Sequence, residues 1–341
     1  MTRKSSSDSE TKRDVVVVGG GLAGRSAASQ VQAAGLSVAV LDKGRSPGGR
    51  LATRRLGSAR ADHGAQFFTV RTQTFAELVS EWQKDGLVQV WSRGWSDGSL
   101  SEAPEDGHPR YICLDGMNGL AKRLAKGIDV HVEARSTAVS QEGDGWIVQV
   151  GDDAVWRARA VLLTPPVPQS LALVDMGHTT LHPRDRKALE RIRYAPCVTG
   201  LFVVEGGGVM LPEPGAVQRP RATVSWIADN RRKGISPDGL AVTVQAAPGF
   251  SRKLWTMSDE DALNAVRTGL MPHLGPESRI VEEQLKKWHY AEPEVLHPTR
   301  YLLATDLPPL AFAGDAFAGP RIEGAVLSGF AAGEALAEHI T

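Results

Sequence analysis

Cysteine is nearly absent: Cys113 and Cys197 are the only two in 341 residues. A chain of this length can bury roughly three-quarters of its extended surface without staples, so a disulfide scaffold is excluded and free buried thiols in a reducing compartment are expected. The two sulfurs are far apart in sequence and have no metal-type spacing, so no metal site is expected. An excess of charge of either sign is missing too, with 39 Lys plus Arg against 39 Asp plus Glu. That balance gives no electrostatic case for nucleic acid or an anionic membrane surface and points to a small-molecule partner. No stretch reaches the ~18 apolar residues of a bilayer span. Residues 1–13 are polar and charged without the apolar centre of a secretory signal, and they read as a disordered leader on a soluble cytoplasmic protein.

Glycine is plentiful, and its placement is informative. In Val15-Val16-Val17-Val18-Gly19-Gly20-Gly21-Leu22-Ala23-Gly24, four β-branched residues predict a strand buried on both faces. The glycines that follow fit G-x-G-x-x-G opening a helix over 23–34. Gly19 lets the chain turn out of the strand, Gly21 lets backbone approach a pyrophosphate, and Gly24 lets helix pack closely on strand. The phosphates then sit at the positive end of a helix. A second strand over 37–41 ends in Asp42, about 20 residues on, where a carboxylate meets ribose hydroxyls.

Beyond Asp42, Pro47-Gly48-Gly49-Arg50 is a loop that permits close approach to a ligand. Arg50 is placed to meet phosphate, while Arg54 and Arg55 are as well explained by solvated surface charge. Asp62-His63-Gly64-Ala65-Gln66-Phe67-Phe68-Thr69 mixes polar groups with an aromatic run that suits a ring-binding site or an ordinary loop entering a core strand. A helix is expected over 72–82 and a strand over 87–91, then a hairpin through Asp97-Gly98 between Trp95 and Leu100. Strands are expected over 128–132, a hairpin over 136–150 with a further strand at 155–158, and a buried strand at 160–164. The middle of the chain predicts antiparallel strands at 197–204, 223–228 and 240–246, an exposed, mobile loop over 206–220, and a helix over 259–271 capped by Ser258. A strand over 281–285 delivers Lys287-Trp288-His289-Tyr290 at its end. Near the C-terminus, Leu310-Ala311-Phe312-Ala313 runs into Gly314-Asp315 and, after Glu323-Gly324-Ala325, a small-residue helix to Ile340. Asp315 can hold polyol hydroxyls, and the free N–H groups near Gly324 can stabilise negative charge on a ring.

Taken together, these motifs resemble the FAD-dependent amine oxidase superfamily, and within it the renalase-like branch. The resemblance rests on the glycine turn, Pro47-Gly48-Gly49-Arg50 with Ala52-Thr53-Arg54-Arg55, the 62–69 segment, Tyr111 with Gly116-Met117, Trp288-His289-Tyr290-Ala291, and Gly314-Asp315 with Glu323-Gly324-Ala325 and Ser328-Gly329. It implies an α/β, p-hydroxybenzoate-hydroxylase-like architecture: a Rossmann-like FAD-binding domain (14–70, 110–166 and 301–341) with an antiparallel-sheet substrate domain (71–109 and 167–300). It also implies noncovalent FAD, in agreement with the lack of cysteine in the C-terminal motif. Carried over position by position, Gly19, Gly21, Leu22, Ala23 and Gly24 meet the pyrophosphate, Asp42 and Lys43 the ribose region, and Gly49 and Arg50 the phosphates or flavin edge. Gln66 and Phe67 belong to the flavin region and Thr137 lies near adenine. Asp315, with Gly314, holds the ribityl chain and pyrophosphate, with Ile322, Glu323, Gly324 and Ala325 at the pyrimidine edge.

The activity implied is hydride transfer from isomeric 2- or 6-dihydro NAD(P), a dihydronicotinamide dinucleotide, to flavin N5, with electrons passed to O2 to give peroxide. Trp288 and His289, with Gln66, are then the expected catalytic residues, orienting the nicotinamide. An amine oxidase or desaturase of the same fold is the alternative. A nucleotide-binding scaffold without turnover, and NAD in place of FAD, stay open as well. Oligomeric state has no signature in the sequence.

Overall fold

The computed structural model describes residues 11–46, 48–99 and 105–341. They fold as two compact units: the described residues up to Gly49 with Ala121–Arg193 and Pro293–Thr341, and Arg50–Leu120 with Tyr194–Glu292.

In the first unit Val15, Val16 and Val17 are wholly buried, as β-branched residues covered on both faces of a parallel sheet should be. Their strand, Thr11–Val18, runs parallel to Val38–Leu41 on one side and to Ala154–Leu163 on the other. Leu310–Ala313 lies parallel beyond Ala154–Leu163, and Asp129–His131 parallel beyond Val38–Leu41. The carboxyl ends of these five strands therefore share one edge of the sheet. The hairpin of Ser136–Glu142 and Gly145–Val150 joins antiparallel. Where two strands are expected at 155–158 and 160–164, one continuous strand forms, pairing first with the hairpin and then with Leu310–Ala313. Helices Leu22–Ala33 and Arg321–Ile340 share a core with the sheet through Ala27, Ala28, Val31, Ala332 and Leu336. A Cβ on Gly329 would stand 2.2 Å from Ala23 O, and one on Gly333 2.4 Å from Ala27 O. The small residues of the C-terminal helix thus set two backbones in contact.

In the second unit a sheet runs in the order Ala216–Gln218, Val224–Asp229, Ala241–Ala246, Arg193–Glu205, Arg279–Val295. Side chains alternate across it. Phe202, Val242 and Val244 pack under the helices Pro248–Trp255 and Asp259–Leu270, whereas Leu201 and Ala241 pack with Leu56, Ala59 and Ala61 of a small hairpin, Thr53–Leu56 with Ala59–Asp62. Ser258 caps its helix as expected, accepting the Asp261 N–H at 3.1 Å.

Several boundaries differ from the expected ones. Residues 50–70 and 110–120 belong to the second unit, because the 53–62 hairpin completes that unit's core. Residues 167–193 belong to the first, where Thr179 Oγ1 donates to Val139 O of the 136–150 hairpin at 2.8 Å. Of the leader, residues 1–10 lie outside the described residues, and Thr11 to Arg13 already belong to the first strand, whose register continues to Ala158. The hairpin expected to end at Leu100, itself outside the described residues with 101–104, is replaced: Val88–Ser92 pairs antiparallel with Arg110–Cys113. The 206–220 loop contains a strand with Ala216 and Val217 buried. The strand expected over 281–285 runs from Arg279 to Val295, so residues 287–290 lie within it rather than at its end. Among the described residues no helix is long and apolar enough to cross a membrane.

Candidate active site

The dinucleotide turn forms at the shared strand edge of the first unit. Gly19 adopts φ +103°, a value that side chains resist, and a Cβ on Gly24 would stand 2.0 Å from Gly19 O. Both positions therefore require glycine. At Gly21 a Cβ would meet nothing within 4 Å, which leaves open space before the first N–H groups of the Leu22–Ala33 helix. That helix has no side-chain cap and no acid in its first turn, so nothing on it neutralises its positive end.

Asp42 is buried and grips the turn. Oδ2 accepts the Gly20 N–H at 2.7 Å and Oδ1 the Gly44 N–H at 2.6 Å. Each carboxylate oxygen keeps a second lone pair able to accept a ribose hydroxyl. Lys43 is exposed, with Nζ 3.5 Å from Gln169 Oε1. Ala134 N–H donates to Asp42 O, which brings Thr137, three residues on, to this end of the sheet, where its hydroxyl donates to Gly151 O.

Both glycine-bearing ends of the chain meet at this edge. Thr164, closing the strand between them, donates through Oγ1 to Val18 O (2.9 Å) and Gly19 O (3.1 Å), and a Cβ on Gly314 would lie 3.7 Å from Thr164 O. Gly314 N–H is held by Ser328 Oγ at 2.8 Å. The Arg321–Ile340 helix repeats the first turn's construction: Gly324 closes on Gly319 O as Gly24 does on Gly19 O. It too has no side-chain cap, but Glu323 sits buried in its first turn beside Ile322 and Gly324. Of the two helix ends, only the first has no acid in its first turn, the condition that suits an anion.

In the second unit Trp288 and His63 stack, ring centroids 5.3 Å apart and 22° between planes, and Trp288 Nε1 donates to His63 O at 2.8 Å. Burial pushes the His63 pKa down to about 4, with Lys286 and Arg54 adding to the depression. The imidazole is neutral at physiological pH.

The sequence matches a NAD(P)-binding Rossmann-like domain over residues 17–82 and the flavin-containing amine oxidoreductase family over residues 86–337, well over half of the chain. The chain belongs to this amine oxidoreductase family. It is 23% identical over 340 residues to renalase of Mus musculus, spanning 96% of this chain and 99% of that one. A putative protoporphyrinogen oxidase from Exiguobacterium sp. 255-15 shares the fold with a TM-score of 0.72 at 14% identity, covering 96% of this chain and 99% of that one. A putrescine oxidase bound to putrescine does so with 0.70 at 18%, covering 95% and 98%. The flavin amine oxidoreductase is a flavin-dependent enzyme with FAD as its cofactor. The uncapped helix end, the open space at Gly21 and the buried Asp42 fit the dinucleotide part of that cofactor.

Four of the expected residues take the following places. Trp288 and His289 are adjacent in a strand and point to opposite faces: His289 is exposed, against Trp255 at 4.9 Å between ring centroids, away from the Trp288 stack. Gln66 is turned into the unit's interior, its Nε2 donating to Asp62 O and Gly64 O while Oε1 accepts from Trp226 Nε1. It shapes the 62–66 turn. Phe67 joins Trp95 and Trp226 in an aromatic cluster. Arg50, expected at the phosphates or the flavin edge, directs Nη1 to Tyr290 O and Ala291 O in the second unit, its guanidinium 5.9 Å above the Tyr194 ring.

Sequence reasoning missed two residues. Lys233 pairs with Asp62 at 2.6 Å, both side chains wholly buried; in Arg231-Arg232-Lys233 it reads as surface charge. Arg25 is 1% exposed, and its lone charge among the small residues 22–28 was the available signal.

Proposed function

We propose that this flavoenzyme oxidises 2- and 6-dihydro isomers of NAD(P), holding FAD noncovalently and passing electrons to O2 to yield NAD(P)+ and H2O2. Kinship with mouse renalase over nearly the full length supports this reading. The observation that carries it is the neutral His63–Trp288 stack.

Bound FAD supplies a hydride acceptor at N5 and returns two electrons to oxygen. Loss of hydride turns a dihydronicotinamide into an aromatic cation and releases no proton, so the protein has to orient a planar ring and manage charge. Trp288 offers a π face that favours the cationic product. His63, kept uncharged, adds no like charge beside it. Gly19, Gly21, Leu22, Ala23, Gly24, Asp42, Gly314, Asp315 and the 322–325 turn hold the cofactor from the first unit. His289 has no part in the proposal. Gln66 positions the loop that carries His63.

A second reading, amine oxidation, rests on the family itself. Anaerobic mixing of the holoenzyme with borohydride-treated NAD+, ordinary 4-dihydro NADH and putrescine separates the two. Rapid loss of the flavin's visible absorbance with the borohydride mixture alone is expected. Bleaching by the amine, with none by the dinucleotides, would overturn the proposal in favour of the second reading.

A further inference from the structure

We infer that Arg25 is a cofactor-affinity residue: its buried guanidinium provides a fixed positive charge for the diphosphate of FAD and pins the Gly20 peptide that shapes the dinucleotide turn.

Arg25 is the fourth residue of the Leu22–Ala33 helix. Long side chains on a helix run back toward its N-terminus, and here Nε donates to Gly20 O at 2.7 Å while Nη1 donates to Ala121 O at 2.5 Å. Gly20 is thereby held at both ends, its carbonyl by Arg25 and the Gly48 N–H, its own N–H by Asp42. The peptide leads directly into Gly21, where the open space lies.

The charge is the unusual part. Among the described residues Nη2 is buried without a hydrogen-bond partner, and no carboxylate forms an ion pair with the guanidinium. Asp42, the one acid that raises the Arg25 pKa, spends its hydrogen bonds on backbone N–H groups. Burial pulls the Arg25 pKa down to about 10, which still leaves it a full cation at neutral pH. A buried cation with no paired carboxylate destabilises a fold unless something bound answers it. A diphosphate at the adjacent helix end is such an answer. Arg25 adds a whole unit of charge to the roughly half unit of the helix terminus, in surroundings from which water is excluded. It needs no direct contact with a phosphate oxygen, because the attraction acts across the Gly20 peptide. Arg25 is therefore a positioning residue with an electrostatic share.

The test compares Arg25→Leu with Arg25→Lys in the full chain freed of FAD, titrated with FAD, ADP and adenosine and melted without ligand. Arg25→Leu is expected to weaken FAD and ADP by about tenfold or more, to leave adenosine unchanged, and to hold or raise the ligand-free melting temperature because a buried charge is gone. Arg25→Lys keeps the charge without the fork that reaches both carbonyls, and is expected to recover most of the FAD affinity. Arg25→Met replaces the Leu variant if that one does not fold. Affinities for FAD and ADP within about twofold of the parent in the Leu or Met variant would overturn the inference. So would equal losses of FAD, ADP and adenosine in the Leu and Lys variants, the mark of a tether to Ala121 alone.

Discussion

The Lys233 ammonium meets Asp62 Oδ2 at 2.6 Å with no water access to either side chain. Burial lowers the Lys233 pKa, and Asp62 pulls it back up. Asp62 Oδ1 meanwhile accepts from the Thr53 hydroxyl and the Met117 N–H, and its backbone carbonyl from Gln66 and Thr243. Desolvating both ions offsets much of their attraction, yet removing one partner strands the other. Lys233→Met alone is expected to lose about 3–5 kcal/mol in urea unfolding. Combining it with Asp62→Asn should recover a good part of that loss. Strict additivity of the two variants would show that the ions are not coupled. Asp62 stands out in the sequence because it opens a polar-aromatic segment. Lys233 does not, since its burial depends on a carboxylate far away in sequence.

Strand, glycine turn and helix were legible because three local signals coincide: β-branched burial, a turn that only glycine can make, and helical periodicity. Both glycine-bearing turns lie where their motifs place them, on one edge of one sheet. The close packing of helices Leu22–Ala33 and Arg321–Ile340 shows in sequence only as an abundance of small residues. Alanine in place of Gly329 would gain up to about 1 kcal/mol of helix propensity. It would also drive a Cβ to 2.2 Å from Ala23 O, a backbone atom that cannot rotate away, and overpacking costs about 1–3 kcal/mol. The clash wins, so Gly329→Ala is expected to destabilise the fold by about 1–2 kcal/mol. Because Ala23 lies two residues beyond Gly21, in the turn proposed to hold the cofactor, FAD affinity should fall with it; a variant as stable as the parent would refute the packing argument. What local pattern could not show is the 17-residue strand Arg279–Val295. Its extent through residues 287–290 parts Trp288 from His289, and its register decides which of them takes which face, since a one-residue shift along a strand exchanges every face. The division into units was equally hidden, because the 53–62 hairpin takes its core partners from Leu201 and Ala241.

Across the molecule the charges balance at 39 and 39, with an isoelectric point near 7.1, so net repulsion contributes little around neutral pH. Particular buried groups then govern how stability depends on acidity. His63 is depressed to about 4, chiefly by burial, and burial also lowers His273 and His297. Each binds a proton more readily in the unfolded chain than in the folded one, so protons favour unfolding. The stability linked to His63 is fully present above the unfolded histidine value of about 6.5 and is lost as pH falls toward 4. Carboxylates such as Asp14 and Asp175, lowered by hydrogen bonds from Ser37 and Arg186, add losses only below the usual carboxylate range. Asp229, raised by burial, opposes them. Between pH 6.5 and 5 the lowered histidines drive the loss while Asp229 works against it, and His63 alone is expected to account for about 2 kcal/mol there. Urea midpoints at the two pH values measure it. His63→Phe keeps a ring against Trp288 while removing the titration, so its stability should change less over that window than the parent's. An equal drop in parent and variant would show that His63 titrates as a solvated group and that the stacked pair is not the neutral surface on which the dihydronicotinamide reading depends.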